Sequence, residues 1–375
     1  MSELNASNLR KEHGNEGPDL VGLTELTSPY FMVPPSGSTG DRPQNPEKGT
    51  LRFNTDSGGL EYFKGDTLGW ESINRITPNL DGGARGLFMG GSNPSGATNE
   101  IDYITIPTLG DAVDFGDLTA ARKQGAAYSS RIRGLYFGGV TPSAVDTIDY
   151  VTISSTGNAT DFGNLTTVRL GNPGGIANSI RGLSGGGEDP SNTDIIDYIT
   201  IAQTGNAVDF GNLTAVKQGV GGGGSSTRGL FGGGHPGPKN TIDYVTIPTT
   251  GNAADFGDLS QARRNMGTGQ TSNSVRHIFY AGNTPTVVNT IDYVTIATLG
   301  NAVDFGDSSG VVEQASGMAS PTRAVWGGGN ESDPTMINTI SYVEIATTGN
   351  TSDFGDISSS IHSGAAGCSN AHGGL

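Results

Sequence analysis

Hydrophobic and polar positions along this chain fall into short runs of period two, and the runs recur. In "TIDYVTI" (residues 147–153) Ile148 and Tyr150 point to one side while Val151 and Ile153 point to the other. Successive strand residues alternate between faces, so this run predicts a strand buried on both sides. A half-wet antiparallel strand would leave one face polar. Around it, "RGLYFGG" (133–139) reads as a short aromatic strand ended by glycines, "TTGN" (249–252) as a tight hairpin turn, and "ATDFGNL" (159–165) as a returning strand. A weaker small-residue strand, "GAAYSS" (125–130), precedes the arginine. No helix is expected.

These runs belong to a repeat. Ile-Asp-Tyr begins at Ile101, Ile148, Ile196, Ile242 and Ile291, with the variant Ile340-Ser341-Tyr342, at intervals of 47, 48, 46, 49 and 49 residues. Asp-Phe-Gly begins at Asp114, Asp161, Asp209, Asp255, Asp304 and Asp353, always twelve residues after the aspartate position of the first anchor. A third anchor is an arginine opening an apolar stretch into glycines: Arg85, Arg133, Arg181, Arg228, Arg276 and Arg323. Four strands in about 48 residues, six times over, is the pattern of propeller blades and not of a helical solenoid. Both-sided burial fits a sheet wedged between two neighbours, with glycine and alanine lining a central channel. The ending "SGAAGCSNAHGGL" supplies Gly364-Ala365-Ala366, which aligns with Gly125-Ala126-Ala127, whereas no good copy of that strand precedes Arg85. The C-terminal strand is therefore expected to complete the first blade.

Composition sharpens this picture. The chain has 375 residues with 61 glycines and 18 prolines against 33 % hydrophobic residues, as short strands and tight turns require. Cys368 is the single cysteine, so neither an intrachain disulfide nor a thiolate metal cage is expected. No apolar run approaches membrane-span length, and the polar start lacks the apolar centre of a signal peptide. With a net charge of −16 and no basic stripe, nucleic acid is not an expected partner.

A double glycine ending a strand, a variable loop, an apolar strand with tyrosine, a hairpin, an aromatic fourth strand and a further arginine resembles the Kelch repeat. The resemblance covers roughly residues 84–375 and implies an all-β, six-bladed Kelch-like β-propeller. It departs where Kelch repeats usually carry tryptophan, since Phe115, Phe162, Phe210, Phe256, Phe305 and Phe354 stand there. Residues 1–80 lack the repeat. They divide into an arm, 1–28, and a small β-meander, 29–80, with strands expected at "GTLRFNTD", "GLEYFKGD" and "GWESI". A piece this short has little core of its own, which oligomerisation or docking would remedy. Its "RP..P..GTLRFNTD…LEYF.G…W..I" resembles a module of tailed-bacteriophage virion proteins, tail fibres and related appendages. That resemblance implies a virion component whose N-terminal part attaches to other virion proteins or forms a homotrimer, while residues 81–375 are displayed.

The expected function is thus a non-enzymatic bacteriophage virion protein, a tail-fibre or other appendage protein contacting a host-surface receptor or glycan. It would be assembled in the host cytoplasm and exposed on the virion, without cofactor, metal or membrane insertion. The alternatives are a capsid, neck or tail decoration without host contact, or an intracellular Kelch-type adaptor. A glycan-cleaving propeller or an oxidase would need an acid pair or metal cluster unique to one blade, and none stands out. Asp102, Asp149, Asp197, Asp243 and Asp292 recur in every unit but the last, so a structural role is expected, paired with the repeat arginines. His13, His235, His277, His362 and His372 show no ligand spacing. What varies is the loop between the second and third strands. The candidate binding rim is Asn93, Pro94, Thr141, Pro142, Glu188, Asp189, His235, Pro236, Thr284, Pro285, Glu331 and Asp333.

Overall fold

The computed structural model describes residues 34–56, 59–67, 69–72, 84–188, 190–332, 335–358, 361 and 363–375. The chain divides into two compact units, Met1–Thr77 and Pro78–Leu375. Both are all-β among the described residues, built of small, mainly antiparallel sheets, with one 3-10 turn at Thr39–Asp41. The expected arm, 1–28, lies outside the described residues.

In the N-terminal unit, strands Ser36–Gly37, Leu51–Asn54, Gly59–Phe63 and Trp70–Ser72 form one sheet in chain order, the first pair parallel and the others antiparallel. Its buried face is largely polar, with Phe63 packed beside Trp70 at one end. Glu61, 1 % exposed, receives the Arg42 fork at 3.2 and 2.6 Å, lies 3.3 Å from Arg52 Nη1 and accepts from Asn54 Nδ2 at 3.1 Å. The hydrogen bond from Arg42, opposed by burial, holds the Glu61 carboxyl below the usual carboxylate range. Both guanidinium groups lie over the Trp70 ring, at 5.8 and 5.9 Å. Alternate residues Leu51, Phe53, Leu60 and Tyr62 take the other face and are only half-buried.

In the C-terminal unit the described residues build six sheets of three or four strands, with three two-stranded pairs in the loops. The second is typical: strands Ala126–Ser129, Arg133–Phe137, Thr147–Thr152 and Thr160–Asn164 pair antiparallel in chain order. The first sheet takes its leading strand from the other end of the chain, Ala366–Ser369 pairing with Arg85–Met89 and placing Cys368 opposite Leu87. The register differs by one residue from the sequence alignment, because Ala366, not Ala365, is the equivalent of Ala126. Gly364, at φ 63°, thereby takes the left-handed position that Gln124, Asn172, Gly219, Asn265 and Gln314 occupy before the other leading strands.

Alternation along each strand feeds two different cores. Val151 and Ile153 pack with Leu87, Ile101 and Phe115 of the first sheet, while Ile148 and Tyr150 pack with Ile199 and Ile201 of the third. The same division runs through the remaining sheets, and Met318, Val325 and Phe354 of the sixth pack with Phe88, Ile104 and Ile106 of the first. Six cores thus lie between six sheets, and the last is shared with the first. Burying both faces explains why the tyrosine strand has no wet side.

The constant spacing of the anchors has a contact behind it. In the Asp-Phe-Gly strand, Gly116 sits at a bulge with φ 143°, and a Cβ there would lie 2.6 Å from the Gly157 carbonyl carbon. Gly157 N–H donates to Phe115 O at 2.8 Å, and Asn158 Oδ1 accepts from Asp117 N–H at 3.2 Å. The hairpin turn of each repeat is therefore docked on the bulge of the preceding one, which fixes its length. The series ends with Gly110 N–H donating to Phe354 O at 2.9 Å and Asp111 replacing the asparagine, its Oδ1 accepting from Asp356 N–H at 3.0 Å.

Two expectations are corrected. The fifth sheet has three strands, Arg276–Thr284, Thr286–Thr295 and Val303–Asp307. Its leading segment touches Arg276–Thr284 only at isolated points, such as Gly267 N–H to Tyr280 O at 3.1 Å and Ile278 N–H to Thr271 O at 3.1 Å, and also bonds to other sheets: Gln270 bridges Ala177 N and O at 2.8 and 3.1 Å, and Thr268 Oγ1 donates to Ala365 O at 3.1 Å. Nor is the middle an open channel. Residues 371–375 fill it further, with His372 Nε2 2.9 Å from Ser129 O and Gly373 N–H donating to Ser272 O at 2.7 Å.

Candidate functional site

Among the described residues the variable loops are short turns in which Pro94, Pro142, Pro190, Pro236 and Pro285 are exposed. Asn93 and Pro94 turn the pair Ser92–Asn93 and Gly96–Ala97, while Thr141 and Pro142 turn Val140–Thr141 and Ser143–Ala144. Thr284 and Pro285 sit at the tip of the long hairpin of the fifth sheet, and Glu331 lies in Asn330–Ser332. Glu188 bridges both Leu170 and Asn192, and His235, before Pro236, bridges Gln218. The His235 ring Nδ1 is 3.2 Å from Arg264 Nη1 and accepts from Gly237 N–H at 3.0 Å. Asp189 and Asp333 lie outside the described residues.

These loops share a rim with the links between repeats. Backbone bridges join Lys123 to Val140, Leu170 to Glu188, Gln218 to His235, Arg264 to Asn283, Glu313 to Asn330, and Ser363 to Ser92. Each loop is thus tied to the link beneath it, a series of separate tips on a common edge. The opposite edge carries the docked hairpin turns.

The repeat aspartates are buried, and the cations paired with them are not the arginines expected. Arg133 lies opposite Thr152 and Asp149 opposite Tyr136, three residue pairs away, or about 10 Å along the strand at ~3.3 Å per residue. Arg133 instead lies over Tyr150, 4.6 Å from the ring centre, and donates to Ile201 O of the next repeat at 2.8 Å. Arg85, Arg181, Arg228, Arg276 and Arg323 repeat that contact on Ile153, Ile247, Ile296, Ile345 and Ile106. The last of these again joins the sixth repeat to the first.

Four of the five repeat aspartates pair with a cation from the link before them. Arg122 pairs with Asp149, Arg169 with Asp197 at 2.8 Å, Lys217 with Asp243 at 3.0 Å and Arg263 with Asp292 at 2.5 Å, all at most 1 % exposed. A hydroxyl and a backbone N–H complete each carboxylate: Thr119 on Asp149, Thr166 on Asp197, Thr214 on Asp243 and Ser260 on Asp292. Burial pulls the Arg169, Lys217 and Arg263 groups below their usual ranges, and the paired aspartate opposes it in each case. Such a carboxylate has no free lone pair facing solvent with which to do acid–base work.

Two junctions break the rule. Ile361 stands where the cation would face Asp102, which accepts the Ser358 N–H at 3.2 Å and has no cation paired with it among the described residues. Burial accordingly pushes the Asp102 carboxyl above the usual carboxylate range. At the other, Val312 replaces the cation and Ser341 the aspartate. The signal for the cations was present in "DLTAAR", "NLTTVR", "NLTAVK" and "DLSQAR", eight residues beyond the Asp-Phe-Gly aspartate.

Among the described residues no three His, Cys, Asp or Glu side chains gather to hold a metal ion, and no helix is long and apolar enough to cross a membrane. Cys368 is buried, and burial raises its thiol to about 12, far from a reactive thiolate. No family model matches the chain, and no curated protein matches it.

Proposed function

We propose that residues 81–375 are a six-bladed Kelch-like β-propeller and that the chain is a non-enzymatic bacteriophage virion protein, a tail-fibre or other appendage component presenting its variable rim to the host surface. The observation that carries the reading is the cycle of contacts. Shared cores, docked turns and arginine-to-carbonyl bonds each run from sheet to sheet and return from the sixth repeat to the first. A ring braced this way holds its rim rigidly, so loops that vary in length and sequence can be presented without disturbing the frame. The N-terminal unit supports a role in attachment or trimerisation, because among the described residues its four-stranded sheet leaves Leu51, Phe53, Leu60 and Tyr62 only half-buried.

Antibody labelling of intact particles of the encoding phage tests the reading. Label on an external appendage, with binding of the purified chain to host cells that is lost when the Pro142 and Pro190 loops are exchanged, is the expected result. Label confined to the capsid or neck, with no cell binding, would overturn host contact in favour of a decoration role.

A further inference from the structure

We infer that the junction between the fifth and sixth repeats carries a binding cavity for a compact, uncharged polyhydroxyl molecule about the size of one sugar ring. The inference rests on the host-contact reading above for its biological sense, but its physical basis is separate. Four junctions are plugged by a buried ion pair; here Val312 and Ser341 remove both charges at once. A third change accompanies them. Ser308 stands where Leu118, Leu165, Leu213 and Leu259 fill the equivalent place. In place of the lost pair lies a cavity of about 140 Å³, against roughly 10–15 Å³ for one water.

Its walls define what fits. Tyr280 Oη meets Ser308 Oγ at 2.6 Å, and Ser309, Thr339 and Ser341 add further hydroxyls around the apolar Val312 and Ile337. Tyr280 stacks on Trp326 with ring centres 4.3 Å apart and planes 9° from parallel, and both rings line the cavity. The Trp326 Nε1 edge lies against Gly267 and is closed to solvent, so the cavity meets carbon atoms of that ring. The serine and threonine hydroxyls of the walls both donate and accept, which suits the hydroxyl groups of a sugar. An anion would find no cation, since no Lys, Arg or His lines the cavity among the described residues. Glu331 is exposed at the mouth, on the variable rim, placed to accept from ligand hydroxyls. No other junction combines these changes in sequence.

The test is titration of the full chain with a panel of methyl glycosides of neutral hexoses, read by saturation-transfer NMR and by Trp326 fluorescence in a Trp70→Phe background. At least one glycoside should bind, and the double variant Val312→Arg/Ser341→Asp, which transplants the ion pair of the other junctions, should weaken it about tenfold or more. Should that variant fail to fold, Val312→Phe fills the same space without charge and should give the same loss. Absence of binding across the panel, or binding unchanged in a folded filled variant, would overturn the inference. Cell adsorption separates the two claims. If the wild-type chain and the filled variant adsorb equally, the cavity is not the contact and host binding stands. If the wild-type chain does not adsorb at all, the proposed function falls while the titration still decides the cavity.

Discussion

The second-to-third junction and the sixth-to-first junction are built on the same backbone but solve a buried aspartate differently. At the former, Asp197 is held by Arg169, the Thr166 hydroxyl and the Thr166 N–H. At the latter, Asp102 has the Ser358 N–H at 3.2 Å, and Ile361 occupies the cation's place. A buried pair contributes little over apolar packing of similar shape, because desolvation offsets the attraction, whereas a pair broken on one side leaves an uncompensated charge. The difference teaches that the ion pair is not what joins neighbouring repeats. At the sixth-to-first junction the contacts are apolar packing, the docked turn at Gly110 and the leading strand borrowed from the C-terminal segment.

The harshest way to break the comparison is to remove that strand. Deleting residues 364–375 takes Ala366, Cys368 and Ala371 out of two cores and exposes the edge of Arg85–Met89. The loss should exceed about 5 kcal/mol, most of a domain's stability, and appear as insolubility or a transition already under way at room temperature. Next in size, Arg169→Met should cost about 3–5 kcal/mol by leaving Asp197 buried and unpaired. Asp102→Asn should be neutral or stabilising, since its carboxyl is already poorly compensated. Urea unfolding of the two variants reads the contrast, and equal losses would refute it.

Protonation sharpens it further. Burial holds the His277 and His372 imidazoles at about 3 and about 4, against 6.5 for an ordinary histidine. The unfolded chain therefore binds more protons than the folded one below pH 6.5, so stability is full above that value and falls as pH drops from 6.5 towards 4. Each group adds about 1.4 kcal/mol per pH unit to the slope. His372→Gln, at the strand-borrowing junction, should flatten the profile by one group's share. The smallest loss belongs to Arg133→Lys, which keeps charge but loses the planar contact with Tyr150 and should cost about 0.5–1 kcal/mol.

Much of this organisation could be read from the letters. The three anchors mark strands that exist, and "GAA" near the C-terminus marks a strand that pairs with the first repeat. What escaped has a common cause: it depends on contacts between repeats, which a single repeat does not display. The cation of one link and the aspartate of the next repeat lie about 28 residues apart in Arg169 and Asp197. The arginine of the apolar strand looked like the natural partner only because it is nearer in the alignment's pattern than in space. The missing fifth leading strand was hidden because "GTGQTS" has the small-residue look of its counterparts, yet Gln270 bonds to the third sheet. The polar buried face of the N-terminal unit inverts the usual alternation and was invisible without the Arg42–Glu61–Arg52 geometry.

Amide hydrogen exchange of the full chain tests closure most directly. Gly110 and Ala112 N–H donate across the sixth-to-first junction to Phe354 O and Asp356 O, as Gly157 and Ala159 N–H do across the first-to-second to Phe115 O and Asp117 O. A closed ring predicts that the Gly110 and Ala112 amides exchange as slowly as their Gly157 and Ala159 equivalents. Exchange at the rate of exposed turns for Gly110 and Ala112 alone, with the other pair protected, would contradict it.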